Sequence, residues 1–405
     1  MNRRSLSLVA LLLIVSAMPL SAAQFIEQSF DQVAREADYV VRGSVINTWT
    51  AWDDAHEVIY TYATVRVSRY FGEIAGPDTL VVREVGGTVD GYTQEAIGFP
   101  AIRRGEQVVL FLSKWESNGD LRIHAYNQGK YLVRMRAGTE VLVPDPVKQG
   151  EERPGAERRF DFATEGVAES NENGLSIEEF AGMVEAARAG GIVTQSIQQH
   201  EEKGARTVKT QRILSLAICT IIVCATAQPA LAYVLLSPRR RWSTTPITVR
   251  TYNVGNSTIT DGSGGVNATV AAIRVWGIIN SSTTSSPAVR GSAPATIMLN
   301  TNGGVCTGGC LAATLTGYYV SQSGDDRIYD ADVYTNTSQP LYSSGESGCS
   351  GEYDINGIMA HEVGHVIGIG HSNVSGATMY PSVSACNTGN RTLASDDFAA
   401  RDNLY

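Results

Sequence analysis

The chain has 405 residues, 43% of them apolar and 18% charged, with 40 Gly. That length suits two or three domains, and the composition is globular rather than collagen-like or disordered. With 32 basic and 41 acidic residues the net charge is −9, and no basic stripe appears, which argues against nucleic acid as a partner.

Residues 1–23 read as an export signal. Arg3 and Arg4 precede an apolar run too short to span a membrane, and Ser21-Ala22-Ala23 forms a small-x-small cleavage site. The expected mature start is near Gln24, and the expected location is secreted or extracellular. Residues 24–145 then read as an all-β accessory domain. Runs at 38–46, 58–71, 79–85, 107–115 and 121–135 are rich in Val, Tyr, Ile and Leu and are separated by Gly and Asp clusters. Five or six strands in this length predict a small barrel or sandwich. The layout resembles the OB-like barrels placed before secreted bacterial proteases. The stretch has no Cys and no cluster of polar catalytic residues, so a non-catalytic role is expected.

Residues 146–207 read as an acidic linker with one short helix. Ser176 and Glu179 form a capping box, and Phe180, Met183, Val184 and Ala187 share one face. Residues 208–232 repeat the export pattern. Arg206, Lys209 and Arg212 precede an apolar run at 213–227, followed by Pro229 and Ala230-Leu231-Ala232. Three readings compete: a buried helix, a membrane helix attaching the protein through 213–227, and a cleaved internal signal or relic of two fused exported proteins. The last accounts for the charges, the run and the Ala-x-Ala end together. Residues 233–405 have no Lys and are rich in Ser, Thr, Asn and Gly, the surface of a second module. Strands are predicted at 246–253, 295–300 and 328–335, and helices at 266–279 and 354–368.

The chemistry lies in the second module. There are six His in the chain, and three of them are His361, His365 and His371. On a helix His361 and His365 project from one face, with Glu362 about 100° round the axis beside a metal held by that pair. Gly368 lets the chain leave the helix so that His371 returns as a third ligand. Three neutral nitrogens hold one catalytic Zn²⁺ and leave a position for water, whose pKa falls towards ~7. Glu362 is then placed to take the proton.

The segment from His361 to His371 matches the metzincin signature, and Met379-Tyr380-Pro381 follows as its Met-turn. This ending resembles the matrixin branch, the matrix-metalloproteinase-like peptidases and their bacterial relatives. The resemblance implies an α+β zincin-like catalytic domain in a multidomain protein, with Met379 as a hydrophobic floor beneath the zinc. It further implies a final helix around Asp396-Asp397 and Leu404-Tyr405, and a substrate-side edge strand at Asp330-Ala331-Asp332-Val333-Tyr334. Two departures stand out. The pro-segment Cys that caps the zinc in matrix metalloproteinases has no counterpart, and no further His follows 233 to hold a structural zinc.

Cys306, Cys310, Cys349 and Cys386 read as two disulfides. Of three pairings, Cys306–Cys310 with Cys349–Cys386 closes a Gly-rich loop and ties the approach of the zinc helix to the segment after the Met-turn. Disulfides need an oxidising side, so one membrane span between two exported modules is inconsistent. Asp325, Asp326, Asp330 and Asp332 read as a solvated turn, with Ca²⁺ as a second reading. The expected activity is that of a secreted zinc endopeptidase acting on protein or peptide substrates, its water activated by Glu362. The alternative is a secreted or membrane-anchored binding or adhesion protein in which the barrel is the working module.

Overall fold

In the computed structural model, residues 24–145, 175–190 and 233–405 are described, apart from positions 27, 73, 116–118, 137, 237, 322, 344–347 and 373. The export signal, the apolar run at 213–227 and both of its Cys lie outside the described residues. No described helix is long and apolar enough to cross a membrane.

The N-terminal module holds β1 (Gln24–Phe25), α1 (Phe30–Glu36), β2 (Tyr39–Trp52), β3 (Ile59–Tyr70), β4 (Thr79–Val85), β5 (Gly87–Val89), β6 (Tyr92–Ala96), β7 (Gln107–Lys114), β8 (Leu121–Ile123), β9 (Lys130–Arg136), β10 (Thr139–Pro144), β11 (Leu175–Ser176) and α2 (Ile177–Arg188). Strand β8 pairs with both β4 and β7, so β7, β2, β3, β4 and β8 close into a ring. Val41, Val45, Ala63, Val65, Val82 and Leu110 fill it, following the alternation of strands with one buried face. The predicted strand at 121–135 is two strands, because the chain turns at Tyr126–Gly129.

The helix at 177–188 is no linker element. Its Ser176 cap forms as expected, worth about 1 kcal/mol. Strand β11 pairs with β10, and Phe180, Val184 and Ala187 bury against Val33, Phe71 and Phe111. The apolar face read from the sequence finds its core on the barrel's outer wall.

The C-terminal module contains β12 (Tyr233–Leu235), β13 (Arg239–Arg241), β14 (Ile247–Tyr252), α3 (Val266–Arg274), β15 (Ile279–Thr284), β16 (Ala295–Met298), β17 (Cys310–Tyr319), β18 (Asp325–Thr335), β19 (Leu341–Tyr342), β20 (Tyr353–Asp354), α4 (Ile355–Val366), β21 (Ile369–Ser372) and α5 (Ser395–Leu404). Strands β15, β14, β16 and β18 run parallel, and β17 joins β18 antiparallel. The predicted helix at 266–279 is shorter, and its last residue opens β15.

The edge strand is also not where the sequence suggested. Residues 330–334 belong to β18, which is hydrogen-bonded on one side to β16 and on the other to β17, so they are interior. The edges of this module's own sheet are β15 and β17, and β17 is the antiparallel one. Its outer side is taken by β6 and β1 of the N-terminal module, giving one nine-stranded sheet across both modules. A shared apolar cluster backs this junction, with Phe25, Tyr60, Val85 and Tyr126 from one module and Met298, Val305, Leu315 and Tyr334 from the other. Each such side chain, fully buried, contributes about 1.5–3 kcal/mol.

Candidate active site

Helix α4 carries the site through the middle of the C-terminal core. Asp354 caps it, accepting from Gly357 N–H at 3.0 Å, and its carboxylate is held by Arg391 at 2.7 and 2.9 Å. Every residue of α4 is buried, polar ones included. Two glycines let other groups approach. A Cβ on Gly364 would meet the Met379 sulfur at 2.1 Å, and one on Gly368, at φ +94°, would meet the Arg240 carbonyl oxygen at 2.0 Å. Gly368 thus performs the exit expected of it, and β21 brings His371 back.

The three His side chains converge. Their Nε2 atoms lie 2.9, 3.0 and 3.1 Å from one another. His361 Nδ1 is 2.7 Å from the Thr378 carbonyl oxygen and His365 Nδ1 is 2.8 Å from that of Ile369. A carbonyl only accepts, so Nδ1 carries the proton and Nε2 turns its lone pair inwards. Burial pushes all three imidazoles down, His365 to about 4, which keeps them neutral. The buried lone pairs of His361 and His365, aimed into the space they share with His371 Nε2, repel unless a cation sits between them. This donor set fits Zn²⁺, which takes neutral imidazoles at ~2.0–2.1 Å.

Carboxylate partners of the surrounding backbone hold this geometry. Asp397, on the first turn of α5, accepts from Thr378 N–H at 2.8 Å and Met379 N–H at 3.0 Å. The segment at Met379 is thereby fixed, with Met379 buried, its sulfur against Gly364 of α4, and Thr378 holding His361. Asp396 accepts from the Ser372 hydroxyl beside His371. The final helix was legible in the sequence, but its supporting role was not.

Glu362 is fully buried, and burial raises its carboxyl to about 7 against the pull of its hydrogen bonds. Two partners were missed from sequence. The Thr314 hydroxyl, on β17, donates to Glu362 Oε2 at 2.7 Å, and Gln24 N–H donates to Oε1 at 3.3 Å. Thr314 sits in a strand with both faces buried and offers no sequence signal for this role.

The disulfides are Cys306–Cys310 and Cys349–Cys386. Asp330 and Asp332 feel each other's charge within β18, but three or more of the four Asp residues do not gather at one point. Asp325 pairs with Arg241 and Arg327, Asp326 accepts from Ser321 N–H, Asp330 from Gly291 N–H and Asp332 from Thr296 N–H. Among the described residues, the groupings of metal-binding side chains are the His triad and Cys349, Glu352 and Cys386, whose Cys are joined to each other. The solvated turn does not form, since Asp326, Asp330 and Asp332 are buried in β18, and the second reading, Ca²⁺, finds no gathered set of three ligands at these Asp residues.

Residues 304–405 match the family model described as matrixin. Residues 304–405 are thus matrixin-like. A 54-residue stretch, 13% of the chain, is 41% identical to the metalloendoproteinase 5-MMP of Arabidopsis thaliana, of which it covers 14%. The chain thus spans a small part of that relative. The matched residues include the His triad, Glu362 and Met379, while the barrel module lies outside them.

Proposed function

We propose that this protein is an exported zinc endopeptidase, with His361, His365 and His371 holding the metal and Glu362 moving the proton. The observation that carries this is the convergence of three buried Nε2 atoms, 2.9–3.1 Å apart, beside a buried carboxylate. A bound Zn²⁺ supplies Lewis acidity towards a scissile carbonyl and lowers the pKa of water. Glu362 takes the proton of the attacking water and returns it to the leaving amine. Thr314 fixes which carboxylate oxygen faces the reacting atoms. Thr378, Ile369 and Asp397 hold the imidazoles in the required tautomer and direction. An extended peptide adds as a strand to β17.

The modules divide as 24–145 with 175–190, and 233–405. The closed ring of five strands in the first supports an OB-like barrel. Because both modules share one sheet, both lie on the same side of any membrane, which favours a cleaved or relic signal at 208–232 over a single span. Two disulfides in the second module favour an oxidising compartment.

Metal analysis combined with a peptide-library cleavage assay tests the assignment. One zinc per chain is expected, lost on His371→Ala, together with cleavage that stops on chelation and returns with zinc. Absence of stoichiometric zinc, or cleavage indifferent to the chelator, contradicts it.

A further inference from the structure

We propose that the N-terminal module is a built-in inhibitor of the C-terminal one, holding its peptide-binding edge with two strand segments laid end to end across Glu362. The proposal rests on the peptidase reading above.

Strands β6 and β1 both run antiparallel to β17. Thr93, Gln94, Glu95 and Ala96 lie opposite Tyr318, Gly317, Thr316 and Leu315, and Gln24 and Phe25 lie opposite Ala312 and Cys310. Along the edge, the direction of β6 continues into β1. Together they stand where the two halves of one extended peptide would stand. The break between them faces Ala313 and Thr314, and Thr314 is bonded to Glu362. On the far side of that break, Gln24 N–H donates to Glu362. A peptide cut there would leave its new amine at this same place. Phe25 also bridges Ser382, just after the Met-turn, so β1 is held between the edge strand and that segment. Export cleavage before Gln24 would turn its nitrogen into an ammonium, and a charge-assisted contact with a carboxylate is the stronger one.

The contact is built from several independent parts. Phe25 is buried and packs on Tyr126, ring centroids 4.2 Å apart, and on Phe99 at 6.1 Å. Ile26 N–H donates to the Gly309 carbonyl oxygen at 2.7 Å, and the Tyr126 hydroxyl to that of Thr307 at 2.5 Å. At the other end, buried Arg240 pairs with Glu95 and lies over the Tyr318 ring at 3.9 Å. Strand addition occupies the main-chain groups that a substrate must use. In the uncleaved chain the inhibitor is tethered, so its effective concentration is high.

The test uses the full chain loaded with zinc, comparing wild type with Phe25→Asp and with Glu95→Arg. The first places a charge in the apolar pocket of β1, and the second places like charges at the anchor of β6. The two changes lie in separate segments, so a thermal melt identifies a folded variant, and Phe25→Ala serves as a milder form of the first. Hydrogen exchange at the β17 amides reports opening, and hydrolysis of short peptides reports activity. Exposure of the edge should accompany a rise in kcat/KM of at least about tenfold, since a tethered competitor has been removed. An exposed edge with an unchanged rate, or a faster rate with the edge still protected, overturns the inhibitor role and leaves the peptidase reading standing. An exposed, zinc-loaded variant that cleaves no peptide overturns the peptidase reading and the inhibitor role with it.

Discussion

The metal side of the cleft and its peptide side are built in different ways. On the metal side, one helix, one turn and one short strand supply the three proposed ligands and the proposed proton carrier from His361 to His371. Their supports, Thr378, Met379 and Asp397, follow within the same module. On the peptide side, β17 is closed by segments from the other module, and the Gln24–Glu362 contact joins residues 338 apart in sequence. The local half is set by helix geometry and burial, and the distant half depends on docking. In the proposed account, chemistry is wired into one module, while access to it is controlled by another.

Substitutions sharpen this contrast. The largest effect is expected at Glu362, measured in the opened Phe25→Asp chain. Glu362→Gln should keep zinc and fold while turnover falls by about 10²–10⁴-fold, because only the proton carrier is lost. Wild-type turnover in that variant would remove Glu362 from the mechanism. Asp397→Asn should weaken zinc binding by about 10–100-fold, read by competition with a chelator, since the Met-turn amides lose a charged acceptor. Unchanged affinity would mean that the turn holds without it. Thr314→Val should lower kcat by about tenfold with little change in KM, and Thr314→Ser should restore it. A drop that Ser does not rescue would point to packing instead of carboxylate positioning.

A change in stability rather than in activity separates the modules by pH. Glu84 is buried in the barrel, accepting from Ile123 N–H at 2.5 Å, and burial raises its carboxyl from 4.5 to about 7. Its folded pKa lies above the unfolded one. Its contribution is therefore full below pH 4.5 and lost as pH rises through about 7, on the order of 3 kcal/mol. The barrel's melting temperature should fall across that interval, and Glu84→Gln should flatten the fall. An unaltered slope would assign the loss to other groups.

Much of the metal side was legible. The His spacing and the Gly368 exit depend on neighbours a few residues away, as does the cap at Ser176 in the other module, and the even Cys count pointed to two disulfides. The peptide side was not. Strand β17 is buried on both faces, so it lacks the alternation that marks a strand at a surface. That absence hid both the true edge and Thr314, and the Asp-rich β18 was taken for the edge in its place. Strands β5 and β6 form a short hairpin whose partner is another module, and nothing local in Tyr92–Ala96 announces it. The helix at 177–188 was read correctly as a helix, but its core lies on the barrel wall, which only tertiary packing defines.

The most direct test of the metal centre is X-ray absorption at the zinc edge on the loaded full chain. The account predicts three histidine nitrogens at ~2.0–2.1 Å and no sulfur, with the signal lost from His361→Ala and His371→Ala. A sulfur ligand, or an unchanged spectrum in either variant, would contradict it.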